Sequence, residues 1–219
     1  MDDEQKWTLR CPRGGSVEVT RKILMLSPVF RDMMDIGESS TVGRNDDNER
    51  PKKRPRIEKA QEEIPVDDDA ATLECMFSLL ANPKSSNIRV WNVSTWLKTL
   101  EIADKYDYSL YESIFLGSLW ERAAEGGGSA LRVFSAAIEL KHGALARYAA
   151  RTYGDYACGR RKTLPVTWSL GVVEFVGFRA WYYLIQACEK CKPFAWDKVA
   201  DHLELPAEWD EQPVDSPSE

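Results

Sequence analysis

VEVTRKILMLSPVFRDMM, residues 17–34, is the stretch whose reading decides the fold. Val17, Glu18 and Val19 alternate apolar and polar, as a short half-buried strand does. The period then changes: Ile23, Leu24, Leu26, Phe30, Met33 and Met34 recur at near-helical spacing, which makes them the expected core face. Ser27-Pro28 interrupts that run. Inside a helix a proline removes a donor, and its ring clashes with the preceding turn. Behind a serine that caps the first N–H groups, the same proline is well placed to restart a helix. The stretch therefore predicts strand, helix, serine-capped restart, helix. No catalytic residue type is prominent in it, which points away from an enzyme.

Upstream, Trp7-Thr8-Leu9-Arg10 and the strand at Val17–Val19 flank CPRGGS, whose proline and glycines supply turn geometry, so a hairpin is expected. Downstream, residues 37–63 read GESSTVGRNDDNERPKKRPRIEKAQEE, dense in charge and nearly free of apolar anchors. Such a segment cannot bury enough surface to offset its ordering entropy and predicts a disordered insertion in a loop. Ile64-Pro65-Val66 predicts a short edge strand, and the acidic run from Asp67 to Asp69 a cap for the helix ATLECMFSLLAN. That helix places Leu73, Met76, Phe77 and Leu80 on one face. Asn92 or Ser94 starts the next, with Trp96, Leu97, Leu100 and Ala103 at core spacing, and a third runs from Ser109 to about Ala124.

Gly126-Gly127-Gly128 breaks this pattern and predicts a linker over 126–129. The pattern beyond it is wholly helical, with Leu131, Phe134 and Ile138 on one helix and Leu145, Tyr148, Ala149, Thr152 and Tyr153 on the next. Pro165 precedes an apolar helix expected over residues 168 to about 190 and, being apolar all round, expected to be core. PFAWDKVADHL is a further short element, and 206–219 an acidic disordered tail. The expected fold class is α+β. A small sheet capped by a helical cluster (1–125) would be followed by an all-α domain (130–205).

Composition narrows the function classes. The chain has 219 residues, 43% of them hydrophobic, enough to build a proper core. A net charge of −6 gives no general basic face, so direct nucleic-acid binding is not expected. MDDEQKW is acidic and polar, unlike a secretory or transit peptide, and five cysteines at irregular spacing suit reduced intracellular thiols. Leu170–Cys188 is long enough to span a bilayer, but Glu174 and Arg179 inside it would each cost roughly 2.5–3.5 kcal/mol near the centre. No membrane partner is expected.

Two short motifs carry possible chemistry. Pro51–Arg56, PKKRPR, has the form of a nuclear import signal, with Lys52, Lys53, Arg54 and Arg56 as the cations that would enter acidic carrier grooves. The competing reading is a solvated charge run, its field cancelled by Asp46, Asp47, Glu49 and Glu58. Cys188 and Cys191 form a C-x-x-C, but zinc needs four ligands. Cys11, Cys75, Cys158, His142 and His202 offer no second pair at a matching spacing. The motif also ends a helix, where the dipole does not lower a thiol pKa. No metal or other cofactor is expected.

With the order of elements laid out, residues 5–125 resemble a BTB/POZ domain of the form common in fungal proteins. The residues that carry the resemblance are VEVTRKILMLSPVFRDMM, the short strand IPV before its acidic cap, and LEIADKYDYSLYESI. The first motif is also similar to the adaptor fold of elongin C and of the F-box-binding ubiquitin-ligase adaptor. Residues 130–205 look like the helical extension that follows many fungal BTB domains. The resemblance implies a non-enzymatic interaction module, an adaptor or scaffold for protein partners, in the nucleus, the cytoplasm or both. It implies two narrower roles: a substrate adaptor for a cullin-type ubiquitin ligase, or a nuclear regulator that recruits other proteins. Tyr106 matches the tyrosine that lies on the cullin-facing surface of such adaptors; otherwise it is an amphipathic residue closing a helix end. The chain departs from the family at Thr20-Arg21, where many members carry His-Lys or His-Arg. The short lead-in before Trp7 gives an expectation against a homodimer formed by strand exchange.

Overall fold

The N-terminal strands β1 (Lys6–Arg10) and β2 (Ser16–Thr20) pair antiparallel, with Trp7 opposite Val19 and Leu9 opposite Val17. The computed structural model describes residues 4–42, 63–84, 92–158, 164–191 and 194–210. A single turn of 3-10 helix, Pro12–Gly14, joins the strands, and Gly14 supplies the positive φ of 83° that the corner needs. β3 (Glu63–Pro65) adds parallel to β1, giving the order β2-β1-β3. Alternation sorts the two faces. Trp7, Leu9, Val17, Val19 and Ile64 are buried, while Lys6 pairs with Glu18 and Arg10 with Glu63 on the wet side.

β2 runs into α1 (Arg21–Leu24), and α2 (Pro28–Val42) follows after a three-residue corner. Ser27 Oγ accepts the N–H of Phe30 at 3.1 Å, so the serine-capped restart is the one formed. Leu24, Phe30 and Met34 turn inward. Leu26 and Met33, expected in the same stripe, are instead exposed: Leu26 lies in the corner between the helices, and Phe30 and Met34, one turn apart, define the buried face of α2, to one side of which Met33 falls. α2 continues to Val42, beyond the Gly37 at which the insertion was expected to begin. The remainder of that insertion, 43–62, lies outside the described residues.

α3 (Ala70–Ala81) is capped by Asp69, which accepts the N–H of Thr72 at 2.9 Å, and α4 (Val93–Lys105) by Asn92, which accepts that of Thr95 at 2.8 Å. α5 spans Tyr111–Ala124. The chain divides into two compact units, and the division falls within α4 and α5. Unit 1 comprises Met1–Trp91 and Lys98–Ile114, and unit 2 comprises Asn92–Leu97 and Phe115–Glu219. The fold class is α+β, a small mixed sheet with predominant helix.

Three features of unit 2 differ from expectation. The glycines are not a spacer: Gly126 caps α6 (Gly127–Glu139) at φ +74°, and Gly127 is buried beside the Tyr156 ring, where a Cβ would sit 3.1 Å from it. Their lack of side chains serves a close approach rather than flexibility. α6 packs on α7 (Gly143–Cys158) through alanines, and Val133, Phe134 and Ile138 complete that layer. The single apolar helix expected over 168–190 is two, α8 (Leu170–Val176) and α9 (Phe178–Lys190). Gly177, at φ +86°, breaks them apart. Among the described residues no helix is long and apolar enough to cross a membrane. Nor is the pair core all round, since Leu170, Phe175, Phe178 and Tyr182 are exposed.

The expected tail is ordered as far as Asp210. Trp209 is buried, and it lies against the Tyr183 ring (5.8 Å) and beneath the Arg179 guanidinium (5.3 Å). The ion pairs Arg147–Asp210 and Lys190–Glu204 add less than ~1 kcal/mol each at such exposure. Losing a buried tryptophan costs ~3–5 kcal/mol, so the aromatic ring is what holds this segment. Residues 211–219 lie outside the described residues.

Candidate interaction surface

Ser27 is fully buried, and its hydroxyl makes two bonds at once. It accepts from Phe30 N–H and donates to the carbonyl of Tyr106, tying the start of α2 to the residue that follows α4. The Phe30 ring stacks on Tyr106 at 4.5 Å and 21°, Phe77 and Tyr108 close around it at 6.4 and 6.3 Å, and those two meet edge-on at 6.2 Å. Offset and edge contacts of this kind add about 0.5–1.5 kcal/mol per pair beyond burial.

Tyr106 therefore does not lie on a partner-facing surface: it is 3% exposed. Its hydroxyl donates to Asp68 at 2.6 Å, and Lys105 Nζ donates to the same carboxylate at 2.8 Å. Burial pushes the phenol pKa well up, and the adjoining Asp68 carboxylate pushes it further in the same direction. This is the amphipathic tyrosine closing a helix end, with its tip satisfied. Sequence reasoning found Ser27 as a cap but missed its bond to the Tyr106 carbonyl, and it missed the role of Asp68. The acidic run signalled a helix cap, which Asp69 supplies, but nothing local shows that its neighbour reaches a residue thirty-eight positions on.

What this clamp leaves outside is apolar. Met25 is 39% exposed, Leu26 52% and Met33 39%, and all three belong to the corner and outer side of α1–α2. Two methionines make such a surface adaptable, since the unbranched thioether fits many shapes. Beyond α4, Asp104, Asp107 and Glu112 rim a shallow hollow of about 320 Å³ floored by Leu100, Tyr108 and Tyr111. Tyr111 is held there by its bond to Thr99 at 2.7 Å. Unit 1 thus carries an apolar corner and an acidic-rimmed hollow.

The remaining candidates are placed as follows. Lys52, Lys53, Arg54 and Arg56 lie outside the described residues. Neither Cys188 nor Cys191 is held in a disulfide. Burial pushes Cys188 up to about 12, and Cys191 donates weakly to the Ala195 carbonyl at 3.4 Å. A thiol so raised is a poor nucleophile. Among the described residues no group of His, Cys, Asp and Glu is arranged to hold a metal ion. His142 caps α7, its Nδ1 accepting the N–H of Leu145 at 3.3 Å. No protein-family model, curated protein or solved structure matches the chain.

Proposed function

We propose that the chain is a non-enzymatic interaction module of BTB/POZ type, an adaptor or scaffold that binds protein partners through the α1–α2 corner. The observation that carries this reading is the contrast within one helix pair. Phe30 and Met34 are sealed into the core, while Met25, Leu26 and Met33 stand in water on the other side. With 39% of Met25 and Met33 and 52% of Leu26 still exposed, completing their burial would recover about 0.5–1.5 kcal/mol apiece. A partner surface supplies that burial. The order of elements (hairpin, serine-capped helix pair, short parallel strand, capped helices) supports the same reading.

Affinity purification of the full chain with identification of co-purifying proteins tests it, wild type beside Met33→Glu. The expected result is a specific partner set that the variant loses while its circular dichroism is unchanged. Recovery of the same partners by Met33→Glu would sink the corner as the binding surface. The identity of the partners separates the narrower roles. A cullin assigns ligase adaptor, and transcription factors assign nuclear regulator.

A further inference from the structure

We infer that unit 2 carries a second, independent interface through which two copies of this chain pair about a two-fold axis across α9. One stripe of that helix remains wet: Phe178 is 60% exposed and Tyr182 56%, and Ile185 continues the same face at i+7. The stripe ends in a hollow of about 260 Å³ lined by Ile185, Cys188 and Cys191 together with Leu164, Val166 and Phe194. Glu189 is the charged group on its wall. The Trp181 indole donates to the Pro165 carbonyl at 2.8 Å, which holds the Leu164–Val166 wall against the helix.

The face thus offers a projecting aromatic at one end and an apolar hole at the other. Phe178 and Cys188 are ten residues apart, ~15 Å along the helix. A two-fold axis perpendicular to α9 near its midpoint brings each Phe178 onto the other copy's hollow, with the two Tyr182 rings beside the axis. At ~30 Å³ per water the hollow is worth roughly nine waters, room for a side chain of seven heavy atoms. Self-complementarity of this kind is what an isologous interface requires, since one patch must serve as both partners. It is the feature that selects a second copy over an unrelated protein.

The area is of the right order. With ~200 Å² for a full aromatic side chain, Phe178, Tyr182 and Phe194 leave ~300 Å² wet, and Leu164 and Val166 bring the patch to on the order of 500 Å². That is near the top of the range for the largest patch on a monomer. Counted on both copies it gives on the order of 1,000 Å², the size at which a specific but weak interface begins. The inference does not rest on the α1–α2 corner, and its test keeps the two apart.

Sedimentation velocity of the full chain at ~1–100 µM, a span that brackets a micromolar Kd, is the experiment. The expected result is a concentration-dependent monomer–dimer equilibrium. Phe178→Glu (the knob) and Val166→Arg (the hole) should each weaken it at least ~10-fold with native circular dichroism, as loss of an interface anchor does. Met33→Glu should leave it unchanged. A monomer at the highest concentration overturns the inference, even if lipid vesicles or another protein capture the face. So does a dimer that Phe178→Glu and Val166→Arg both leave intact, or one that only Met33→Glu abolishes.

Discussion

His142 shows how a residue type that invites a chemical reading can be occupied by structure. Its Nδ1 accepts the Leu145 N–H, so the ring is neutral with its proton on Nε2, and it stands edge-on to Trp120 at 6.2 Å. Burial lowers its pKa, only partly opposed by a hydrogen bond with its own backbone and by the Asp210 carboxylate. The folded pKa therefore lies below the unfolded one, about 6.5, and the unfolded chain takes up the proton first. Stability contributed here is complete above the unfolded pKa and is lost as pH falls through the folded pKa. Protonating Nδ1 also removes the acceptor that caps α7. Thermal melting should show a lower midpoint at pH ~5.5 than at pH ~7.5, and His142→Asn, which keeps a capping acceptor, should flatten that difference. An equal drop in both proteins would assign the pH dependence to other groups.

At the scale of an element, α2 depends on one side chain. Ser27 satisfies a first-turn donor and the Tyr106 carbonyl in a site with no access to water. Ser27→Ala removes the cap, worth ~1 kcal/mol, and leaves a buried carbonyl short of a partner, worth ~1–3 kcal/mol. A loss of about 2–4 kcal/mol in urea denaturation is expected, with the slope unchanged. A loss below ~0.5 kcal/mol would mean that α2 is held by packing of Phe30 and Met34 alone. The α8–α9 break is a contrasting case. Its residues are uniformly apolar and read as one helix, yet Gly177 adopts a conformation closed to side-chain-bearing residues and turns the chain. An isolated glycine in an apolar run has two readings, and local sequence does not choose between them.

Across the whole molecule, the basic run at Pro51–Arg56 is the feature expected to bear on cellular destination. If Lys52, Lys53 and Arg54 drive import, their replacement by alanine should abolish nuclear accumulation of a fluorescent fusion. Undiminished nuclear signal would assign the run to solvation. Much of the architecture was legible beforehand. The hairpin, the serine-capped restart, the Asp69 and Asn92 caps and the helical character of unit 2 all rest on local rules of period and capping, which neighbouring residues alone satisfy. The candidate surface was not legible. Tyr106 could be matched to a partner-facing position, but Phe30 and Asp68, both far away in sequence, bury its ring and bond its tip. Leu26 and Met33 share the apolar character of Phe30 and Met34, and only the neighbours that pack against α2 decide which pair faces water. Trp209 fell in an acidic stretch, and its burial needed Tyr183 and Arg179 in place to receive it. The sequence by itself determined which segments are strand and helix for the most part, and those ends that a side-chain cap marks, because capping and periodicity act within a few residues; the ends set by Gly126 and Gly177 were not among them. Which apolar side chains are core and which are surface was decided only by tertiary structure, since burial belongs to the neighbours a residue meets and not to the residue.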